Sequence, residues 1–313
     1  MASGKGLHRT GHSSRHDLKN QRKGLNMLYL ALPRYVERVW GSLDLPKLDS
    51  PAGEVWWVYH DDSGSAELRE PFSGTVSSVA DLVNSGDLTG DPVYPLLVKT
   101  LHTADRLSVQ VHPGLAGGSL FKEETWIVLS AEPESWMMGG LKVTAAEDFS
   151  RILETGIMEE VLRRIELNRG DVYHIPPGTV HSLGPGLEIL EVQSNCNVTY
   201  RLYDWKRTGI NGKPRQLHLE EGLKAVNWNS GGSPVKVGSE GALNESGLEA
   251  DYGIRALSRN GEVRIPPQGI FYLESGSLEL NETRNGPCCI LADSGGGSFM
   301  LSGSGYLINP GGA

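Results

Sequence analysis

From Leu107 to His112 the chain alternates strictly, with Leu107, Val109 and Val111 set against Ser108, Gln110 and His112. Side chains of a β-strand leave on opposite faces every second residue, so this run predicts a strand with one apolar and one polar face. Short runs of strand character recur along the chain, and the turn-forming residues between them are abundant, 40 Gly and 17 Pro in 313 residues. Many short strands joined by tight turns favour an all-β fold. At this length two domains are the expectation.

The polar face of that run carries chemistry. Lys122 and Glu124 repeat the two-residue spacing ahead of the apolar run Trp126 to Leu129, so Glu124 can point inward from a second strand. His181 follows Pro176-Pro177-Gly178, a turn that closes one strand and opens the next. Gln110, His112, Glu124 and His181 together offer two imidazoles, a carboxylate and an amide oxygen. Such an N/O set suits zinc with room left for water or substrate. Any one of these residues on a strand is more commonly a plain structural side chain; the reading rests on the four together.

Several motifs recur in a fixed order: YVERVWG, GEVWWVYHDDSG, LSVQVHP, K-x-E-x-W, GDVYHIPPGTVHSLG, TYRLYDW and NGKPRQLHLEEGLKAVN. In that order they resemble the type I mannose-6-phosphate isomerases, in their short bacterial form, over roughly residues 30 to 228. The resemblance implies a cupin-type jelly-roll β-sandwich with a few covering helices and a second, smaller cupin-like β-domain. It implies zinc, one per subunit, on Gln110, His112, Glu124 and His181, and catalysis by Arg201. It supports Lys99 and Lys122 as active-site lysines, matches Glu191 to an acid proposed for proton transfer, and places Ser108 at a phosphate contact. Lys122 and Glu191 both remain candidates for the proton shuttle, and Lys99, Lys122, Arg201 and Ser108 for phosphate. His102 and His174 are read as structural, and Asp204, Trp205 and Lys206 as shaping the mouth of the site. The chain departs from the family at Gly114, where Asp is usual, and in a shortened 113–121 loop.

The implied activity is interconversion of mannose 6-phosphate and fructose 6-phosphate through an enediol or enediolate. The alternatives are a related cupin isomerase or epimerase on another sugar, and a sugar-phosphate-binding cupin without catalysis. A sensor has no need of a proton shuttle, so the retained lysines and arginine disfavour the last.

A net charge of −9 argues against a nucleic-acid partner, and an anionic sugar phosphate must then be met by local cations. Three cysteines, two of them adjacent, suggest neither a disulfide framework nor a cysteine metal site. No apolar run approaches the roughly 18 residues of a membrane span and no signal-peptide stretch is seen, so a cytoplasmic protein is expected. Residues 1–26 are basic and poor in large apolar side chains, which predicts a disordered tail. The catalytic domain is expected over 27–229, a Gly/Ser-rich linker over 230–250 and the small second β-domain over 251–313. A first strand is expected from Leu28 to Gly41 and a short helix over Ser77 to Asn84. A long helix is expected from about Ala145 to Arg164, opened by a Thr144/Glu147 capping box and broken near Gly156.

Overall fold

The structure, a computed structural model, describes residues 27–43, 45, 51–88, 94–114, 120–228, 234–238 and 252–310. The basic tail, residues 115–119 of the shortened loop and most of the Gly/Ser-rich stretch lie outside the described residues.

The strands form three large antiparallel sheets stacked in layers. The middle, seven-stranded sheet includes Arg34–Ser42, Ala52–Val58, Leu96–Thr103, Glu124–Ala131, Val172–Ile175 and Leu187–Ser194. The second, five-stranded sheet includes Val109–Val111, Trp136–Leu141, His181–Leu183 and Tyr200–Tyr203. Between them lies a core of Trp40, Leu101, Trp126, Val128 and Ile189 from the middle sheet against Met137 and Leu183 from its partner. This pair makes the jelly-roll sandwich. The third sheet packs on the opposite face of the middle one, where Val55, Trp57, Leu97 and Val192 meet Tyr29, Ile270, Tyr272 and Leu291.

That third sheet joins the two ends of the chain. Leu28–Ala31 pairs with Cys288–Ala292 on one side and with Glu67–Arg69 on the other, beside Gly253–Ile265, Ile270–Glu279 and Gly297–Asn309. Leu28 and Leu30 face one apolar cluster while Tyr29 and Ala31 face another, so this short strand is buried on both sides. The single strand expected from Leu28 to Gly41 is therefore two strands in different sheets. Pro33 separates them: it has no N–H to give a ladder and restricts the residue before it.

Two helices cover the outer face of the five-stranded sheet. Ala146–Thr155 and Leu219–Ala225 set Phe149, Ile152 and Leu223 against Val109, Val111 and Met138. The helix expected to reach Arg164 stops at Gly156, whose φ of 79° and N–H to the Ile152 carbonyl form a left-handed cap. Beyond it come a 3₁₀ turn, Met158–Glu160, and a strand, Leu162–Glu166, paired with Trp136–Leu141. The N-cap is Ala145 without a side-chain bond, so the expected Thr144/Glu147 box does not form. Val79–Ser85 is helical near the expected place and does carry a capping box, Ser78 with Asp81. Within the expected linker, Val235–Gly238 is a strand at the edge of the middle sheet. Among the described residues no helix is long and apolar enough to cross a membrane.

A Cβ on Gly156 would sit 2.3 Å from the Tyr203 hydroxyl in a backbone conformation that L-residues avoid. Gly156→Ala is expected to lower stability by about 2 kcal/mol, read from urea unfolding midpoints. An unchanged midpoint would contradict this account of the helix end.

Candidate metal centre and its cavity

At one end of the sandwich the two facing sheets open around a cavity of about 700 Å³. Strand alternation fills its floor. Val109 and Val111 turn outward to the helices while Gln110 turns in, and Glu124 and Trp126 share the inner face of their strand. His181 and Arg201 lie directly opposite Gln110 on either side, because their strands flank Val109–Val111.

His112, Glu124 and His181 bring one ligand atom each to within 4.8 Å of one another, and all three are buried. His181 Nδ1 donates to the Thr179 carbonyl at 2.9 Å and His112 Nδ1 to the Val198 carbonyl at 3.1 Å. Each ring is thereby fixed with a bare Nε2 turned to the centre, as in metal-binding histidines whose outer N–H is held by a carbonyl. His112 Nε2 faces Glu124 Oε1 at 3.1 Å and His181 Nε2 faces Glu124 Oε2 at 3.9 Å. Among the described residues, His112 Nε2 and Glu124 Oε2 have no hydrogen-bond partner. Buried acceptors aimed at one another are costly unless a cation lies between them, so this donor set fits a divalent metal. The Gln110 amide nitrogen lies 3.2 Å from His181 Nε2, and a half-turn of the amide delivers its oxygen to the same place. Burial, followed by the Lys122 charge, holds His112 down at about 3, and burial holds His181 below its usual value. Both rings are therefore neutral and able to coordinate at neutral pH. Burial alone would raise Glu124, but the Lys122 ammonium beside it outweighs burial and holds the carboxyl well below the usual range.

Around this cluster the buried charges alternate in sign. Lys122 Nζ lies 2.7 Å from Glu124 Oε1, and Lys99 Nζ lies 3.0 Å from Glu191 Oε1 and 3.9 Å from Glu54 Oε1. Glu191 also accepts from the Trp126 indole at 3.1 Å. Burial, reinforced by Glu124, pushes Glu191 up to about 7 against the pull of Lys99 and Lys122. Burial opposes the Lys99 charge, but Glu191 and Glu54 overcome it and keep the ammonium charged. Arg201 is anchored through Nη1 on the Gln216 carbonyl at 2.9 Å, while its Nε is buried with no partner among the described residues. Ser108 is buried in the cavity wall, its hydroxyl 3.3 Å from the Gln110 amide oxygen.

The ligand, catalytic and phosphate residues singled out from the sequence border this cavity or the cluster at its floor, whereas Asp204, Trp205 and Lys206, expected at its mouth, are not among its lining residues. His174 is buried behind the floor, 3.6 Å from Glu123, and His102 bonds Thr100; neither lines the cavity. Asp204 is buried and holds Arg215 at 2.7 Å and Arg207 at 2.9 Å. Sequence reasoning missed Arg38, Glu54 and Arg215, which line the same cavity. Arg38 and Glu54 stand in the matched YVERVWG and GEVWWVYHDDSG segments, and that placement was the one available signal. Gly114, at φ 146°, lies where a Cβ would meet Pro177 at 2.7 Å, so the loop after His112 packs tightly against the turn that precedes His181.

Fold and site together define a cupin with a buried cluster suited to a metal. Residues 36–133 match the family Phosphomannose isomerase type I, catalytic domain. Mannose-6-phosphate isomerase ManA of Bacillus subtilis is 34% identical over 209 residues, 62% of this chain and 66% of ManA. The mannose-6-phosphate isomerase of Streptococcus mutans is 32% identical over 204 residues, 61% of this chain and 65% of that protein. These matches span just under two thirds of each relative's length. The crystal structure of the mannose 6-phosphate isomerase from Bacillus subtilis superposes with a TM-score of 0.72 at 24% identity, over 90% of this chain and 98% of that one. A zinc-bound mannose 6-phosphate isomerase superposes at 0.65 and 16% identity, with the same coverage. Likeness at such identities speaks for the fold. The chain is thus similar to the type I phosphomannose isomerases in sequence over part of its length and in fold over most of it.

The ion pairs of the cavity wall set a pH dependence. Burial would raise Glu54, but Lys99 and Arg38 hold it at about 2, below its ordinary 4.5. A carboxyl depressed in the folded state stabilises fully above its unfolded value and loses that contribution as pH falls through the folded one. The stability advantage of the wild type over Glu54→Gln should therefore shrink by about 3 kcal/mol between pH 4.5 and pH 2. Urea unfolding across that range measures it; parallel pH curves for the two proteins would refute the assignment.

Proposed function

We propose that the protein is a zinc-dependent isomerase interconverting mannose 6-phosphate and fructose 6-phosphate. The observation that carries this reading is the meeting of His112, Glu124 and His181 on the floor of a cavity that also holds Lys99, Lys122, Glu191 and Arg201. In this reading residues 27–229 are the catalytic unit. Residues 251–313 are a smaller cupin-like unit whose sheet takes in Leu28–Ala31.

One zinc per chain is held by His112 Nε2, His181 Nε2, a Glu124 oxygen and the Gln110 amide oxygen. When bound it supplies Lewis acidity to the oxygens on C1 and C2 of the open-chain sugar. Glu191 is the proton carrier: its carboxylate removes the proton from C2 of the aldose and returns it to C1. A carboxyl at about 7 is matched to both directions of transfer at neutral pH. The hydroxyl proton on O2 leaves and a proton arrives at O1, so the formula of the sugar is unchanged. The Lys122 ammonium stands 2.7 Å from the metal-side carboxylate and stabilises negative charge on these oxygens.

Arg201 and Ser108 are assigned to the phosphate. Among the described residues the Arg201 Nε has no partner, which leaves a charged donor for an oxyanion. Lys99 and Lys122 are each committed to a nearby carboxylate. They contribute to the field that draws a dianion in rather than to direct contact.

Arg201→Ala is expected to lower kcat/KM for mannose 6-phosphate by about 100-fold or more while leaving zinc content near one per chain. Untouched turnover would remove the role given to Arg201. His112→Ala is expected to cut retained zinc, read by elemental analysis after dialysis, by at least about 10-fold. Full zinc content in that variant would place the metal elsewhere.

A further inference from the structure

Glu54 is held by more donors than any other carboxylate in the cavity wall. It accepts from Arg38 Nε and Nη2 at 2.9 Å each and from the Trp56 indole at 2.6 Å. The Arg38 contact is a two-bond fork, the geometry that fixes a carboxylate most firmly. The register of Arg34–Ser42 with Ala52–Val58 sets the partners side by side, and both lie at the cavity. Arg38 is part-exposed at the cavity wall, whereas Glu54, Lys99 and Glu191 are buried behind it. The four form one chain of alternating sign, Arg38, Glu54, Lys99, Glu191, with no net charge when all are ionised.

The Lys99 ammonium is the link between two carboxylates that compete for it, at 3.0 Å to Glu191 and 3.9 Å to Glu54. With Glu54 already neutralised by its fork, the closer partner keeps the ammonium. Without the fork, Glu54 is a buried carboxylate short of a counter-ion and draws Lys99 away. We propose that Arg38 is a positioning residue: by clamping Glu54 it commits Lys99 to Glu191 and so keeps the Glu191 carboxylate available as the proton carrier. The part that concerns turnover rests on the function proposed above; the charge ordering does not.

Among the described residues, Glu191 forms an ion pair with Lys99 and accepts from the Trp126 indole. The other titratable groups that act on it are Glu124 and Lys122 from the adjacent strand segment and Tyr252 from the C-terminal part, whose phenol burial keeps neutral. Neither Arg38 nor Glu54 is among the contacts of Glu191, so changing them acts on Glu191 by way of Lys99.

The test is an infrared titration of the zinc-loaded full-length protein, following the protonated-carboxyl band that Glu191→Gln removes. In Arg38→Gln the band should appear at a pH higher by roughly one unit than in the wild type, and in Glu54→Gln at a lower pH. The double variant Arg38→Gln/Glu54→Gln should return toward the wild type, since one charge of each sign is removed. Arg38→Lys, which keeps the charge but not the fork, should lie between wild type and Arg38→Gln. The acid limb of the kcat profile with mannose 6-phosphate should move with the band. A protein inert toward mannose 6-phosphate whose band still shifts in opposite directions would sink the substrate reading and leave the charge ordering standing. Singles that shift the same way, or an Arg38→Gln band at the wild-type pH, would overturn the proposal. If Arg38→Gln does not fold, the sign in Glu54→Gln decides: a downward shift supports it, and no shift or an upward one refutes it.

Discussion

A carboxylate and two imidazoles, Glu124, His112 and His181, lie buried within one ligand shell of each other, and this costs free energy unless a cation and a set of partners compensate it. Much of the surrounding arrangement answers that cost. Backbone carbonyls of Thr179 and Val198 take the outward N–H of each imidazole. Lys122 stands against Glu124, and Lys99 stands between Glu191 and Glu54. The result is a patch of paired charge set into an apolar sandwich, where each interaction is stronger than it would be in water and each unpaired group dearer.

The fold delivers these groups by register. Antiparallel pairing sets Arg201 and His181 across from Gln110, Gln193 across from Glu124, and Glu191 across from both Trp126 and Lys99. Residues directly opposite one another on a sheet share a face, so a few ladders carry most of the site. Because the period is two, a slip of one residue in any of these strands would turn its functional side chains into the apolar layers behind. Those layers are filled on both faces of the middle sheet, which makes such a slip expensive. The third sheet, built from both ends of the chain, completes this burial from behind without entering the cavity.

Period-two alternation made the inward face of Leu107 to His112 legible, and the same rule placed Glu124 inward. What sequence alone hid was pairing between distant segments. Nothing in YVERVWG reveals that Arg38 forks onto Glu54, because that contact exists only once two strands are in register. Leu28–Ala31 reads like the start of its neighbour strand, yet its hydrogen-bond partners lie far away at Cys288–Ala292. The covering helix was legible from Phe149 and Ile152, but its end was overrun. Val161, Leu162 and Ile165 fit helical spacing as well as a strand, and pairing with Trp136–Leu141 settled the matter.

The central claim is that the buried cluster is a metal centre. Anomalous diffraction from crystals of the zinc-loaded protein, collected on both sides of the zinc absorption edge, tests it most directly. The account predicts one peak per chain, about 2.0–2.2 Å from His112 Nε2, His181 Nε2 and a Glu124 oxygen, with the Gln110 amide oxygen completing the set. An empty cluster in zinc-loaded crystals, or a peak elsewhere in the molecule, would contradict it.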